Sequence, residues 1–124
     1  MKTSVKDILE SIPDFEDFMK LADEIGELSF RRLNLDRLIK ASEAFIVRRA
    51  TSSQEYFIGG RPPSMQYIES TFKHTGFNDE LLEIRKELAE VTSELDKKKI
   101  QLSIYRDMLE IFRTLSANER SVVI

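Results

Sequence analysis

Glu24 and Glu27 are the carboxylates whose spacing could support metal-dependent chemistry, because residues three apart lie on the same face of a helix. Two such side chains can supply part of a magnesium coordination shell, which is built from oxygen ligands. A complete oxygen cage would also need a second helix with a matching acidic pair. The acidic residues between 80 and 96 instead belong to the charged face of a predicted coiled-coil helix. The spacing therefore favours a solvated helix face over a metal site.

Other side chains that commonly carry chemistry are scarce. The chain has no cysteine and a single histidine, His74, so the sequence offers neither a thiol nucleophile nor a cluster of imidazoles for a metal. Gly59 and Gly60 lack the lysine of a phosphate-binding loop, and they indicate a turn. We expect no catalytic residue, no metal and no cofactor, and hence a protein that is not an enzyme.

The main electrostatic feature is a basic middle segment, residues 31–76. It carries eight basic and four acidic side chains, whereas residues 1–30 have a net charge of −5 and residues 77–124 a net charge of −2. Cations that neutralise phosphates, combined with rings on which bases stack, are typical of single-stranded nucleic-acid sites. The candidate DNA contacts are Arg31, Arg32, Arg48, Arg49, Arg61 and Lys73, together with the rings of Tyr56, Phe57 and Tyr67. The alternative is an ordinary polar helix face with the loop aromatics packed inward.

Helices and one loop must position these residues. In chain order we predict a short helix (4–11), a long helix (15–52), a loop (53–63), a short helix (64–75), a long coiled-coil helix (78–116) and a tail (117–124), all within one helical domain. Asp14 is expected to cap the first long helix, and Ser64 the second short one, which Gly76 ends. Gly26 weakens the first long helix, bends it, or permits a close contact.

The last helix has the clearest periodicity in the sequence. Apolar residues alternate spacings of three and four, as in the seam of a coiled coil. The seam comprises Leu81, Ile84, Leu88, Val91, Leu95, Lys98, Leu102, Tyr105, Leu109 and Phe112. Lys98 is its one charged member, a position that often fixes register or oligomeric state. We predict that the seam residues from Leu88 to Phe112 drive oligomerisation.

Together these elements predict an all-α fold: a long antiparallel helical hairpin with a loop and a short helix at the turn. A helix of about 38 residues is about 57 Å long, and a single small globule cannot bury a rod of that length. We therefore expect the two long helices to pair and further copies of the chain to join them. No stretch of the sequence approaches the ~20 apolar residues of a membrane span, and no signal-peptide core is present.

The order of these features resembles the UvsY-like recombination mediator proteins of tailed phages. The resemblance covers roughly residues 20–115. It consists of a helix with a basic cluster, the loop Tyr56-Phe57-Ile58-Gly59-Gly60-Arg61, a short helix opening at Ser64-Met65, an Asn78-Asp79 cap, and a long last helix containing the aromatic-rich stretch from Tyr105 to Phe112.

The resemblance implies a homo-oligomer, ring-shaped in that family, that binds single-stranded DNA. It also implies partners: a RecA-like recombinase and a single-strand-binding protein, with localisation in the cytoplasm of a host cell. The positions that match the family's DNA contacts are Arg48, Arg49 and Arg61, with Lys73 beside them.

Two other functions remain open at this point. The first is a coiled-coil module that binds proteins, such as a prefoldin-like chaperone or a phage structural or scaffolding subunit. The second is a magnesium-dependent nucleotide pyrophosphohydrolase of the MazG type, which would use Glu24 and Glu27 as one of its two acidic pairs.

Overall fold

The structure is a computed structural model, and it describes Asp7, Glu10 and residues 13–122, with side chains described as far as residue 118. Three α-helices lie wholly within the described residues: α1 (Phe15–Ser52), α2 (Met65–Thr71) and α3 (Glu80–Val122). No β-strand occurs in this part of the chain, where Ile58 and Arg61 form an isolated bridge. The all-α prediction is confirmed. The predicted helix 4–11 lies largely outside the described residues, although Asp7 and Glu10 are helical.

Helix α1 has the predicted bounds, and its start is set by Asp14. The Asp14 carboxylate accepts a hydrogen bond from the backbone N–H of Asp17 (3.0 Å), and the Asp17 carboxylate accepts one from the N–H of Asp14 (3.3 Å). This reciprocal pair satisfies two backbone donors that a helix start leaves unpaired. Gly26 lies within the continuous helix, and a Cβ added there would meet nothing within 4 Å.

The segment between the long helices is more ordered than a plain loop. A single 3₁₀ turn spans Gln54–Tyr56, and Gly59 and Gly60 take positive φ in the tight turn closed by the bridge. The Ser64 hydroxyl accepts a hydrogen bond from the N–H of Tyr67 (3.2 Å), so Ser64 caps α2 as expected. The predicted end of this helix at residue 75 is wrong, because α2 ends at Thr71 and residues 72–75 form turns. Gly76 takes a φ of 77° in the connection to α3.

Helix α3 starts and ends differently from the prediction. Its start at Glu80 is stabilised by the Glu80 carboxylate itself, which accepts hydrogen bonds from the N–H groups of Phe77 (3.3 Å) and Asn78 (2.7 Å). The backbone N–H of Glu80 itself, together with those of Asn78 and Phe77, holds the pKa of the Glu80 carboxyl below its ordinary value. At the other end the prediction of a non-helical tail over 117–124 is wrong, because the helix continues to Val122.

The chain, predicted as one helical domain, divides into two compact units. The turn unit is Ser29–Ser93, and the helix-pair unit consists of the described residues up to Leu28 together with those from Glu94 onward. In the turn unit, Ile39, Ile46 and Leu81 form a buried cluster against which Phe72, Phe77, Ile84 and Leu88 pack. The early α1 residue Arg31 pairs with the later α3 residue Glu87, and Glu43 pairs with Arg85, as antiparallel helices require.

The helix-pair unit also contains an antiparallel pair of α1 and α3. The ring of Phe18 meets that of Tyr105 edge to face, with centroids 5.5 Å apart. Glu24 lies six residues after Phe18 in α1, and Lys98 lies seven residues before Tyr105 in α3. The Glu24 carboxylate contacts the Lys98 ammonium at 2.6 Å, which continues the antiparallel pairing. Leu21 and Leu95 are buried in the same interface. Both units therefore show the predicted hairpin arrangement of the two long helices.

Candidate nucleic-acid interface

The basic segment 31–76 folds within the turn unit, where ion pairs occupy half of its cations. Each of its four carboxylates is paired: Asp36 with Lys40, Glu43 with Arg85, Glu55 with Arg49, and Glu69 with Lys73. A fourth cation of the segment, Arg31, pairs with Glu87 at 2.5 Å. Exposed ion pairs of this kind contribute little to stability, but a neutralised cation offers a weaker field to an external phosphate.

Four arginines of the segment have no ion pair among the described residues. They are Arg32, Arg37, Arg48 and Arg61, and all four are exposed. With all four of the segment's carboxylates occupied, these guanidinium groups carry its uncompensated positive charge. We call them the unpaired arginines. Guanidinium groups present several N–H donors in a fork that matches phosphate oxygens.

Arg37 and Arg48 share one face of α1. They are eleven residues apart, which is three helical turns and a rise of about 16 Å. The positions between them on that face are Ala41 and Ala44, which are exposed and small. This face of α1 therefore has small side chains in its middle and an arginine at each end. An extended phosphate backbone could lie along it. Arg37 was not among the DNA contacts predicted from the sequence, although its spacing from Arg48 through two alanines was visible there.

The predicted base-stacking rings differ in their availability. Tyr56 stacks on Phe77 with centroids 4.3 Å apart and planes at 18°, and it meets Phe72 edge to face at 5.8 Å. One face of the Tyr56 ring is thus covered by protein. Tyr67 is exposed, with an edge contact to Phe72 at 6.1 Å, and Phe57 is half-buried.

Arg49 belongs to this aromatic cluster. Its guanidinium lies 5.8 Å from the centre of the Tyr56 ring and 5.7 Å from that of Phe77, and it also pairs with Glu55 at 4.0 Å. These cation–π contacts hold Arg49 against the turn. The adjacent Arg48 side chain has no such contact in the described part of the chain. The two neighbouring arginines, which the sequence treats alike, therefore have different surroundings.

The seam of α3 faces α1 of the same chain. Val91 and Leu95 are buried, and Leu88, Leu102, Tyr105, Leu109 and Phe112 are half-buried. Lys98 is also half-buried, through its contact with Glu24. Of the residues predicted to drive oligomerisation, Leu88, Lys98 and Tyr105 make contacts within one chain.

The Glu24 carboxylate has the Lys98 ammonium group as its neighbour. The hydrogen bond from Lys98 lowers the pKa of the Glu24 carboxyl, and the same bond raises the pKa of Lys98. In the described part of the chain no group of three or more His, Asp or Glu side chains could hold a metal ion. His74 is exposed, and its backbone carbonyl accepts a hydrogen bond from Arg85 at 3.2 Å.

Acid is expected to weaken the helix pair through Glu24. Because its pKa is lowered on folding from 4.5, ionised Glu24 contributes stability above pH 4.5 that is lost as the pH falls through the lower, folded-state pKa. The midpoint of thermal unfolding, followed by circular dichroism between pH 7 and about pH 3, should drop in this window. Glu24→Gln should show a smaller drop, whereas Glu90→Gln, an exposed α3 residue without an ion pair among those described, should behave like the wild type. Equal acid sensitivity of the three proteins would contradict this role for Glu24.

No helix among the described residues combines the length and apolar character needed to cross a membrane. The candidate interface thus consists of the unpaired arginines, the Arg37–Arg48 face of α1, and a partly covered aromatic cluster at the turn. No protein-family model, curated protein or solved structure matches the chain.

Proposed function

We propose that this protein binds single-stranded DNA through the turn unit and acts, in assembled form, as a recombination mediator. The observation that supports the proposal is the pattern of charge pairing. The four carboxylates of residues 31–76 are all taken by cations, yet Arg32, Arg37, Arg48 and Arg61 stay unpaired and exposed. These unpaired guanidinium groups give the segment a positive charge, although the chain as a whole has a net charge of −3.

A single strand suits this surface better than a duplex. The cations are few, and the exposed ring of Tyr67 and the half-buried ring of Phe57 can accept an unstacked base. With about four phosphate contacts, the logarithm of the binding constant should fall with the logarithm of salt concentration with a slope of about −3. Binding should therefore be tightest at low salt and almost independent of base sequence.

The protein partners are proposed from the resemblance to UvsY-like mediators. They are a RecA-like recombinase and a single-strand-binding protein, and the site of action is the cytoplasm of a phage host. In this proposal the arginines hold the strand while the recombinase is loaded onto it.

Binding to fluorescently labelled oligo-dT, followed by anisotropy, tests the DNA contact. Arg37→Ala combined with Arg48→Ala should weaken binding about tenfold or more and make the salt slope less steep by about 1.4, because two phosphate contacts are lost. The control is Lys40→Ala combined with Lys86→Ala, which removes the same charge from cations that pair with Asp36 and Glu83 on their own helices. The control should weaken binding less than about threefold.

Two results would overturn the proposal. One is the absence of binding even at low salt, where phosphate contacts are strongest. The other is an equal loss of affinity in the two double variants, which would mean that only the total charge matters.

A protein-binding module is the second candidate, and exposed apolar side chains of the turn unit favour it. Leu38, Phe45, Ile58 and Met65 are each about half exposed or more. Such a surface could hold an unfolded or helical protein segment. Suppression of the aggregation of a heated client enzyme, with no binding to oligo-dT, would support this function over the first.

A further inference from the structure

The helix-pair unit has an inner interface that forms within one chain. Leu21 and Leu95 are buried there, Phe18 meets Tyr105, and Glu24 meets Lys98. These contacts use one face of α1 and one face of α3. The faces of both helices that lie outside this interface would then be expected to be polar if the unit worked as a lone helix pair.

Exposed apolar side chains nevertheless lie outside this interface on both helices. On α1, Phe15 is 76% exposed and Met19 is 47% exposed, and exposed Ala22 follows one turn later. On α3, Ile100 is 60% exposed, Ile104 48% and Ile111 52%. Ile104 is two residues from the half-buried Leu102, which places it about 200° around the helix. We call these two sets the outer stripes of α1 and α3.

Charges beside the outer stripes differ between the helices. Glu16, Asp23 and Glu27 lie along one side of the α1 stripe, and none of them has an ion pair among the described residues. Lys97 lies on the corresponding side of the α3 stripe, and it is likewise unpaired in this part of the chain. When two helices pack antiparallel, corresponding sides meet, so the acidic side of α1 would meet Lys97 of another α3.

We propose that a second copy of this chain covers these stripes head to tail, with the outer stripe of α1 in one copy packed antiparallel on the outer stripe of α3 in the next. If this contact keeps the register seen within the chain, where Phe18 meets Tyr105 and Glu24 meets Lys98, Met19 lies opposite Ile104 and Ala22 opposite Ile100. Lys97 then lies within one turn of both Asp23 and Glu27. The large side chains of Met19 and Ile104 then face each other, and Ala22 leaves room for Ile100.

Packing of like stripes fits less well. An antiparallel pair of α1 outer stripes would bring Glu16, Asp23 and Glu27 against the same three residues of the other copy. An antiparallel pair of α3 outer stripes would bring Asp107 close to its own counterpart. Like charges at such positions are destabilising. The head-to-tail contact joins different faces, so each copy presents one free α1 stripe and one free α3 stripe to its neighbours.

Two single variants and their mixture test the proposal by light scattering coupled to size-exclusion chromatography. The wild type should be larger than a dimer of 14.4 kDa chains, because each copy has two such faces. Met19→Asp and Ile104→Asp, each on an exposed position, should fold with wild-type circular dichroism and run as monomers. Mixed in equal amounts, they should form a species of twice the chain mass, because the intact α3 stripe of one variant fits the intact α1 stripe of the other.

Leu38→Asp, at an exposed apolar position of α1 in the turn unit, is the matched control and should keep the wild-type mass. A monomeric wild type, variants of wild-type mass, or a mixture that stays monomeric would each overturn the head-to-tail contact. A mass change in Leu38→Asp would also overturn the assignment to these stripes. The test contains no DNA, so its failure and the failure of the proposed DNA binding are separate results.

Discussion

Replacing Leu81 with alanine is expected to lower the free energy of unfolding by about 2–5 kcal/mol. Leu81 is 0% exposed and packs with Ile39 and Ile46 in the core of the turn unit. Removing its branched end costs the transfer energy of the lost atoms and leaves a cavity that the surrounding side chains fill only in part. For a domain whose whole stability is about 5–15 kcal/mol, this is a large fraction. Urea unfolding followed by circular dichroism measures the change.

Leu38→Ala is the control for that measurement. It makes the same chemical change at a helical position that is about half exposed. The expected loss is below about 1 kcal/mol, since less apolar surface leaves the protein interior and alanine favours the helix. If the two variants lost equal stability, Leu81 would not be the centre of the core that the structure describes.

Replacing Gly76 with alanine is the second change for which we expect a large effect, a loss of about 2–4 kcal/mol in the free energy of unfolding. Gly76 has a φ of 77°, a conformation that costs a residue with a Cβ about 1–2 kcal/mol. The new Cβ would also lie 2.8 Å from Oε1 of Glu80. That carboxylate would have to move away from the N–H groups of Phe77 and Asn78, and each lost hydrogen bond costs about 1 kcal/mol.

Gly60→Ala separates the two causes. Gly60 has the same φ of 77°, but a Cβ there would meet nothing within 4 Å. The loss should therefore be limited to the backbone strain of about 1–2 kcal/mol. Thermal and urea unfolding of both variants provide the comparison. A Gly76→Ala loss no larger than that of Gly60→Ala would show that the Glu80 carboxylate does not stabilise the start of α3.

Local signals in the sequence were enough to place most of the helices. Pro13 and Asp14 fix the start of α1, and the Thr51-Ser52-Ser53 run coincides with its end. Ser64 caps α2 through its own side chain, as its type predicts. The predicted end of α3 was wrong because the residues after 116 contain no glycine or proline. Nothing local therefore stops a helix that is already formed. A drop in apolar periodicity is a weaker signal than a breaker.

The candidate site depends on contacts that residue types alone do not determine. Arg48 and Arg49 are neighbours in sequence, yet only Arg49 faces Tyr56 and Phe77, because adjacent helical residues point about 100° apart. The Tyr56 ring is covered by a residue twenty-one positions later in the chain. Counting charges could not separate the unpaired arginines from the paired ones, since the pairing depends on where Glu55, Glu69 and Glu87 lie in space.

The heptad seam illustrates a different limit. Its periodicity predicts that α3 packs against another helix, and the structure provides that helix from the same chain. Periodicity shows which face of a helix is packed, but it does not show whether the same chain or another chain covers that face. A second set of apolar residues, Ile100, Ile104 and Ile111, also has helical spacing, but Asp107 interrupts it, so it is a weaker signal than the seam.

Arg85 has a consequence for the order in which the turn can form. Its guanidinium donates to the backbone carbonyls of Lys73 and His74, both at 3.2 Å, and also pairs with Glu43 of α1. The seven-residue helix α2 is too short to be stable alone, and the carbonyls just after it gain these donors from a residue at least eleven positions downstream. A nascent chain that has emerged only as far as Gly76 therefore lacks the Arg85 guanidinium that donates these hydrogen bonds. We therefore expect the segment to reach its final conformation only after the first turns of α3 have been synthesised and have docked on α1.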